Sequence, residues 1–450
     1  MIRVAVVGSG PAGVYAAAAL VRDGAADVDV LDRLPSPFGL VRYGVAPDHP
    51  KIQSISLALA RVLEEPAVRF LGNVEVGAGL TVADLHEHYD AVLFAHGASV
   101  DRRLGIPGED LPGSTSATEF VAWYCGHPDV PVDRFSLDAR SVAVVGMGNV
   151  ALDVTRLLAK AADDLVTTDL PEHVLRALRA SRVEDVHIVG RRGPLQARFT
   201  TKELREIGEI AGADVLVDAA ELDVDEAGLD REPVLRRNLE VLRSWAARDP
   251  AGRPRRVHVH FRRRPLEVLG DGRVTGLLLE RTVVDGGGVV AGTGETSTLD
   301  VEMVLRSVGY RGVPVPGLPF DEAAGVVPND GGRVLRDGRP VPGEYVAGWV
   351  KRGPTGVIGT NKSDAQETVA ALLADAPALP KAPVRDPDAV LRLLEQRGVD
   401  VVTWQGWRAI ERAEARLGRS LGRARSKITD RAELLRAAAD GLAAPSDPGG

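Results

Sequence analysis

Cysteine is nearly absent from this sequence: its 450 residues contain only one, Cys125. A single thiol cannot form an internal disulfide, a Cys-x-x-Cys redox pair, a zinc site or the ligand set of an iron–sulfur cluster. We therefore predict no metal site and exclude a disulfide reductase. Any redox chemistry must use a bound organic cofactor, and its final electron acceptor must lie outside this chain.

An excess of basic residues is also missing, since 63 acidic residues outnumber 55 basic ones and give a formal net charge of -8. That balance argues against nonspecific nucleic-acid binding but leaves room for a local basic patch. The first apolar stretch, residues 2–20, is interrupted by Gly8-Ser9-Gly10-Pro11, so it predicts neither a membrane span nor a signal peptide. Because folding sequence begins at residue 2, we expect no targeting extension and a cytoplasmic protein.

Glycine, by contrast, is abundant, with 49 residues, and part of it falls in an internal repeat. The string Val4-Ala5-Val6-Val7-Gly8 recurs unchanged at residues 142–146. Each copy joins a short β-branched run, a glycine turn and an Ala/Leu-rich helical stretch, which together open a βαβ unit. The repeat therefore predicts an α/β protein with two Rossmann-like dinucleotide-binding domains, in line with a length of roughly 150 residues per domain for two or three domains.

The elements predicted from this plan follow one another along the chain. They are strand 4–7, helix 11–22, strand 28–31, strand 91–95, strand 142–145, helix 150–161, helical sequence at 171–180, strand 186–189, strand 303–308 and helix 362–373. A proline-rich linker at 377–383 precedes a helical tail, and we expect its last residues, 445–450, to be disordered.

The domain boundaries predicted from these elements make the first domain discontinuous. Its first part spans residues 1–104, and the second domain spans 105–316. Residues 317–450 complete the first domain and add a helical C-terminal extension.

The first glycine turn reads Gly8-x-Gly10-x-x-Gly13, directly after a strand and before a helix. Missing side chains let the backbone approach a pyrophosphate at the helix N-terminus, where the helix dipole favours anions. The second strand of this unit ends in Asp32, whose carboxylate is placed to hydrogen-bond a ribose. The alternative is a glycine turn needed only for tight helix packing.

The second glycine turn reads Gly146-x-Gly148-x-x-Ala151, in which alanine is an accepted variant. Its second strand ends in Gly190-Arg191-Arg192 instead of an acid. A carboxylate there would repel a 2'-phosphate, whereas two guanidinium groups can hold it with charge-assisted bonds. We infer NADP(H) over NAD(H), with a solvated basic turn as the alternative.

One acid-terminated site and one arginine-terminated site indicate two different dinucleotides, most simply FAD in the first domain and NADPH in the second. A nicotinamide gives two electrons together as hydride, and a flavin can accept them at N5 and release them singly. The sequence thus favours an NADPH-dependent flavoprotein reductase with a separate one-electron acceptor.

These residues resemble the adrenodoxin reductase-like ferredoxin–NADP reductases. The resemblance spans residues 1 to about 370, with its motifs in order. The matching strings lie at 8–13, 37–42, 44–50, 72–74, 106–110, 148–153, 190–196, 203–206, 306–310 and 348–361. It implies hydride transfer from NADPH to FAD N5, followed by single-electron transfer to an iron–sulfur ferredoxin, that is, a ferredoxin–NADP+ reductase.

The resemblance also implies which residues bind the two cofactors. Besides Gly8, Gly10 and Gly13 of the turn, those implied for FAD are Ala12, Asp32, Leu40, Val76, Trp349, Gly356, Val357 and Ile358. Those implied for NADP are Asn149, Val150, Ala151, Leu152, Arg191, Arg192, Glu203 and Gly356. The Trp349 ring is expected to cover the flavin, and the helix beginning near Lys362 is expected to point its positive end at it.

His49 and Glu206 match polar residues near the flavin and nicotinamide in relatives, so they are candidates for proton relay and positioning. Hydride transfer itself needs orientation, not an acid or a base. The alternatives are a structural histidine in a proline-rich loop, and a Glu206 that pairs with Lys202 at i, i+4 on a helix face.

An acidic ferredoxin needs a basic docking surface, and we expect it at Arg236, Arg237 and Arg243. A merely solvated arginine-rich helix is the alternative, and the nearby Arg262, Arg263 and Arg264 could serve equally well. Neither nucleic acid nor a membrane is an expected partner.

Three other functions remain open from the sequence. A glutamate synthase-like NADPH reductase subunit shares the two-dinucleotide plan, although those chains carry an N-terminal cysteine cluster that is missing here. An NADPH–quinone diaphorase is a second alternative. The third is not an enzyme but a redox-sensing module that binds nucleotides without turnover.

Overall fold

The computed structural model describes residues 2–226, 229–284, 289–356 and 358–443. The chain divides into two compact units. The first unit comprises residues 1–100, 125–129 and 310–450, and the second comprises residues 101–124 and 130–309. The chain passes from the first unit to the second after residue 100 and returns after residue 309, a few residues before the boundaries predicted at 104 and 316. The tail predicted to be disordered, 445–450, lies outside the described residues.

The short segment 125–129 corrects the sequence-based division, which placed it in the second domain. The His127 ring lies 4.9 Å from the Tyr43 ring, and the Cys125 Sγ lies 3.6 Å from the Val45 carbonyl oxygen. Asp129 forms an ion pair with Arg431 at 2.8 Å. These long-range contacts to the first unit leave no local sequence signal.

The first unit is built on a mixed sheet of seven described strands in the order β16-β17-β18-β4-β1-β2-β3. The strands β1 to β4 and β18 are parallel, and β16 and β17 add an antiparallel edge. Their bounds are β1 Ile2–Val7, β2 Ala26–Asp32, β3 Val68–Gly72, β4 Ala91–Phe94, β16 Asn329–Asp330, β17 Arg333–Arg336 and β18 Arg339–Val346.

The strand β1 shows why this sheet lies inside the unit. All six of its residues are buried, as expected for a parallel strand covered on both faces. Val4 and Val6 belong to one hydrophobic cluster, and Ala5 and Val7 belong to another. Because successive side chains point to opposite faces, one strand contributes to two cores.

Helices cover both faces of this sheet and continue into the C-terminal extension. They are α1 Pro11–Val21, α2 Leu40–Tyr43, α3 Pro50–Gln53, α4 Ile55–Leu63, α5 Val82–His88, α11 Trp349–Arg352, α12 Thr360–Asp375, α13 Ala389–Gln396, α14 Trp404–Ser420 and α15 Arg431–Ala443. The two-residue strands Val100–Asp101 (β5) and Tyr310–Arg311 (β15) lie where the chain changes unit. Within the described residues, no helix has both the length and the apolar character needed to cross a membrane.

The second unit repeats the parallel plan in a sheet ordered β6-β14-β7-β8-β10-β9. The strands are β6 Ser114–Ser116, β7 Ser141–Val145, β8 Asp185–Val189, β9 Ala213–Val217, β10 Arg255–His260 and β14 Met303–Arg306. The helices are α6 Ala117–Tyr124, α7 Asn149–Ala159, α8 Glu172–Arg179, α9 Thr201–Gly208 and α10 Pro233–Ala246. The predicted fold class, two Rossmann-like units with a discontinuous first domain and a helical C-terminal extension, is confirmed.

An antiparallel three-stranded sheet in the second unit was not predicted. It consists of β11 Arg263–Leu269, β12 Gly276–Val284 and β13 Val290–Leu299. All ten residues of β13 are exposed or half-exposed. Because neither face of this strand is buried, its sequence does not alternate between apolar and polar residues. The sequence signal for this strand was therefore weak.

Candidate functional site

The first glycine turn connects β1 to α1, and two of its glycines are required by the packing of the chain itself. Gly8 has a φ of +111°, and a Cβ there would lie 2.5 Å from the Ala95 carbonyl oxygen. A Cβ on Gly13 would lie 1.9 Å from the Gly8 carbonyl oxygen. Any side chain at these two positions would displace backbone, so the turn is fixed before a ligand is considered.

Gly10 is different, because a Cβ there would meet no described atom within 4 Å. Its φ of -68° is also accessible to other residues. Pro11 then begins α1, whose first turn contains no acidic side chain and whose first amides lack intrahelical partners. The turn keeps open space next to the positive end of a helix, which fits the pyrophosphate of a dinucleotide.

Asp32 ends β2 and is tied to the same turn. Its Oδ2 accepts hydrogen bonds from the Ser9 amide, at 2.9 Å, and from the Ser9 hydroxyl, and its Oδ1 accepts from the Leu34 amide at 2.9 Å. Burial raises the pKa of the Asp32 carboxyl, while these hydrogen bonds oppose the shift. A carboxylate oxygen has two lone pairs, so Oδ1 has capacity for a ribose hydroxyl.

Two further helix starts lie against the first turn of α1. Gly348, with a φ of +77°, precedes α11, and a Cβ there would lie 2.7 Å from the Ala12 Cβ and 3.9 Å from the Asn361 Oδ1 of α12. The Gly348 amide donates to the buried Asp364 carboxylate. This arrangement fixes Trp349 next to the turn, with its ring 5.3 Å from the Tyr310 ring.

Three buried ring nitrogens of the first unit have no hydrogen-bond partner among the described residues, and two of them, Trp349 Nε1 and His96 Nδ1, belong to residues beside the glycine turn; the third is Trp407 Nε1. His96 directly follows Ala95, and its Cα would lie 2.9 Å from a Cβ on Gly8. Its Nε2 donates to the Val313 carbonyl oxygen at 3.3 Å, so Nδ1 is the acceptor, and burial lowers the pKa of His96 to about 4. Buried polar atoms without partners next to an open turn fit a ligand that supplies donors and acceptors.

The second glycine turn has the same division of roles. A Cβ on Gly146 would lie 2.2 Å from the Ser307 carbonyl oxygen, whereas a Cβ on Gly148 would meet no described atom within 4 Å. The helix α7 begins at Asn149, whose Oδ1 accepts from the Thr200 amide at 2.9 Å. Ala151 and Leu152 are buried, and their backbone amides donate to the Gly148 carbonyl oxygen at 3.1 and 3.3 Å, so the amides that precede them, of Asn149 and Val150, are the ones placed at the open end of the helix.

The basic turn that follows β8 is held by backbone contacts. The Gly190 carbonyl accepts from the Arg263 amide at 2.9 Å, the Arg191 carbonyl accepts from the Thr282 hydroxyl at 2.7 Å, and the Arg192 carbonyl accepts from the Arg262 amide at 3.0 Å. The Arg191 side chain is exposed. The buried Nε of Arg192 has no hydrogen-bond partner among the described residues. Both guanidinium groups thus lie on a fixed backbone, as an anion site requires.

Arg156, which is 1% exposed, gathers three carboxylates of the second unit around one guanidinium. It lies 2.7 Å from Asp153, 3.3 Å from Glu203 and 3.4 Å from Glu206. Glu206 also lies 3.5 Å from Lys202, so the predicted alternative of an i, i+4 pair is present. Glu203 and Glu206 are therefore fixed on α9 by a buried cation that was not identified from the sequence.

A cluster of Asp185, His187 and His258 has ligand atoms close enough for a metal ion. However, Arg256 already binds the Asp185 carboxylate, with Nε at 2.6 Å. The His187 and His258 rings are stacked at 4.3 Å with an interplanar angle of 16°, so their in-plane lone pairs cannot meet at one ion. Burial and the neighbouring histidines lower the pKa of His187 to about 3, which is consistent with a neutral His187 ring.

Comparison with known proteins now places the chain. Residues 2–211 match the family described as pyridine nucleotide-disulphide oxidoreductase. The NADPH-ferredoxin reductase FprA of Mycobacterium tuberculosis is 47% identical, covering 96% of this chain and 98% of that protein. The chain belongs to the adrenodoxin reductase-like ferredoxin–NADP reductases.

Two further relatives support this membership. The mitochondrial NADPH:adrenodoxin oxidoreductase of Arabidopsis thaliana is 40% identical, covering 98% of this chain and 96% of that protein. The solved structure of Mycobacterium tuberculosis FprA in complex with NADPH has a TM-score of 0.91 at 46% identity, covering 97% of this chain and 99% of that one. The family resemblance predicted from the sequence is confirmed.

Of the residues predicted to bind FAD, the structure places these at or next to the first turn: Gly8, Gly10, Ala12, Gly13, Asp32 and Trp349. Ile358 packs against the hydrophobic cluster that contains Ala12, and Leu40 is 37% exposed at the start of α2. Gly356 has a φ of +83°. Val76 instead packs against the cluster on the opposite face of β1. Val357 lies outside the described residues.

Other predictions from the sequence are changed in detail. The helix expected near Lys362 begins two residues earlier, at Thr360. His49 is 7% exposed, and its carbonyl accepts from the Ile52 and Gln53 amides. Of the residues that sequence analysis missed, His96 carries the clearest signal, since it directly follows a predicted strand of a parallel sheet.

The two open glycines predict separable losses. We expect G10A to weaken FAD binding about tenfold or more, and G148A to do the same for NADP+, because each added methyl occupies the space left for a phosphate. Both variants are expected to melt within a few degrees of the parent chain. Fluorescence titration of each cofactor and thermal unfolding measure the effects, with G212A as a glycine control in equally open space. Wild-type FAD affinity in G10A would show that this space is not used.

Proposed function

We propose that this chain is an NADPH-dependent flavoprotein reductase that passes electrons to a separate ferredoxin. The observation that carries the proposal is the pair of glycine turns, each with one open glycine, followed by different chemistry at the next strand end: Asp32 in one unit and Arg191-Arg192 in the other. The printed functions of the relatives, NADPH-ferredoxin reductase and NADPH:adrenodoxin oxidoreductase, support it. A chain with one cysteine has no disulfide relay of its own.

FAD, when bound, supplies the conversion of a two-electron hydride into single electrons. The chain's residues bind and orient the reactants. Gly10 and the first amides of α1 would bind the FAD pyrophosphate, and Asp32 would accept a hydrogen bond from a ribose hydroxyl. In the second unit, Gly148 and the start of α7, residues 149–152, would bind the NADPH pyrophosphate, with the Asn149 and Val150 amides as donors, and Arg191 and Arg192 would hold its 2'-phosphate. The cytoplasmic location stays a prediction.

Anaerobic mixing of the FAD-loaded protein with NADPH tests the reductase directly. We expect NADPH to bleach the visible flavin absorption at a rate at least as fast as steady-state turnover. Ferredoxin added afterwards should restore the absorption while it is itself reduced. NADH at the same concentration is the control. A flavin that binds but is not bleached by NADPH would overturn the proposal in favour of a redox-sensing nucleotide module.

The arginine pair predicts the coenzyme preference. We expect the double variant R191A/R192A to raise KM for NADPH about 10- to 100-fold and to leave KM for NADH unchanged, because only NADPH carries the 2'-phosphate. Steady-state kinetics with both coenzymes provides the measurement. The exposed Arg176 on α8 provides the control R176A. Equal effects on the two coenzymes would assign the arginines to overall stability instead.

His49 and Glu206 are proposed as residues for positioning and proton relay around the nicotinamide. We expect H49A and E206A to lower NADPH oxidation while FAD stays bound. K202A separates two explanations for Glu206, because it removes the surface pair but leaves the contact with Arg156. Turnover that is unchanged in H49A and E206A would contradict both roles. Equal losses of turnover in K202A and E206A would show that Glu206 acts only through its surface ion pair with Lys202.

Acidic residues near α10 already form ion pairs with two of the three arginines that we propose as the docking surface. Arg236 lies 3.8 Å from Asp230 and from Glu240, and Arg243 lies 2.7 Å from Glu226. The Arg237 Nε donates to the Pro233 carbonyl at 3.0 Å. A ferredoxin that docks here must compete with these acids. The ferredoxin-reduction rate should then fall as ionic strength rises, and a flat profile would argue against this surface.

A further inference from the structure

A buried cluster of charged residues in the C-terminal extension is centred on Glu414 of α14, which is fully buried. Its carboxylate accepts from Arg42 Nη1 at 3.2 Å and from Nη2, from Arg425 Nε at 2.8 Å, and from the Ile428 amide at 3.0 Å. Burial alone would raise the pKa of Glu414, but Arg42 and Arg425 lower it to about 2. A buried carboxylate with this many donors is held in one orientation.

Arg42, the ion-pair partner of Glu414, is the last residue of a short segment, residues 38–42, which we call the cover segment. It begins with two consecutive residues of positive φ, Phe38 at +82° and Gly39 at +49°. Phenylalanine rarely adopts this backbone region, which is costly unless surrounding contacts impose it. The cover segment is therefore under strain, and something must hold it.

The cover segment lies directly against the first glycine turn. The Phe38 amide donates to the Ser9 carbonyl oxygen at 3.1 Å. A Cβ on Gly39 would lie 3.2 Å from the Gly10 Cα. The strained Phe38 and its neighbour Gly39 thus form a wall of the turn whose open side we assign to the FAD pyrophosphate.

The helix α14 holds both ends of the cover segment from the other side. At one end, the Phe38 ring packs edge-on against Trp407, with centroids 6.0 Å apart and an interplanar angle of 84°. At the other end, Arg42 forms the ion pair with Glu414, and its guanidinium lies 5.0 Å from the Trp407 ring centroid. Trp407 and Glu414 are seven residues apart, so they lie on the same face of one rigid helix.

We propose that Glu414 is a positioning residue for FAD, through which the C-terminal extension keeps the cover segment closed against the glycine turn and slows FAD release. The inference rests on the proposed function, because it takes FAD as the ligand of that turn. Without the carboxylate, Arg42 would be a buried cation lacking its main counter-ion, and the strained segment would relax away from the turn.

The test compares E414Q with the full-length parent protein, both loaded with FAD. Glutamine keeps the size of the side chain and removes its charge. We expect FAD to dissociate roughly tenfold faster or more, measured by the rise in flavin fluorescence on release, with NADP+ affinity unchanged. Glu433, exposed on α15 of the same extension, provides the control variant E433Q. Dissociation is measured well below the melting temperature, where circular dichroism shows the fold intact.

A second variant keeps the inference testable if E414Q fails to fold. W407F retains an aromatic core residue, but its smaller ring reduces the contacts with Phe38 and Arg42, so we expect a smaller acceleration of FAD release than in E414Q. Release at the parent rate from a folded E414Q, or from W407F where E414Q does not fold, would overturn the role of the extension while leaving the reductase proposal intact. A parent protein that binds no FAD would instead defeat the proposed function itself.

Discussion

Close backbone approach at the two glycine turns is the constraint on which the rest of this structure depends. Gly8 and Gly13 in one turn, and Gly146 in the other, have no room for a Cβ because a carbonyl oxygen of the chain occupies the space. In each unit, the tight connection between the first strand and the helix that follows it therefore requires glycine at these positions. Gly10 and Gly148 face open space instead, and this contrast separates glycines required for packing from glycines that leave room for a phosphate.

Each unit contains a buried arginine that is paired with carboxylates: three of them around Arg156 and one, Glu414, at Arg42. Arg156 holds Glu203 and Glu206 on α9 in the second unit, and Arg42 is held by Glu414 in the first. A guanidinium withdrawn from water requires such partners, and its rigid fork then fixes their positions. In both units, the residues beside a dinucleotide turn are therefore oriented by an ion network that lies behind them.

The sequence predicted the parallel strands β1, β2, β4, β7, β8 and β14, the two glycine turns and the family, because each depends on local patterns: β-branched runs, fixed glycine spacing and contiguous motifs. It did not predict the parallel strands β3, β6, β9, β10 and β18. It did not predict the three-stranded sheet β11 to β13, whose last strand lacks a buried face. Nor did it predict that Arg236 and Arg243 pair with nearby acids, since ion pairing depends on side-chain placement that arginine counts do not report. His96 was overlooked because its significance lies in a buried ring nitrogen for which the described part of the chain provides no hydrogen-bond partner.

The sequence alone determined that this protein has two dinucleotide turns with different strand ends, and that one cysteine excludes an internal thiol relay. Both conclusions follow from residue identity and spacing, which are local. Only the tertiary structure decided that residues 125–129 join the first unit, that Gly10 and Gly148 are the open glycines, and that α14 reaches back to residues 38–42. Contacts between residues that are far apart in the sequence form only when the chain folds. Their contribution to stability depends on how deeply the groups are buried, which no local sequence pattern encodes.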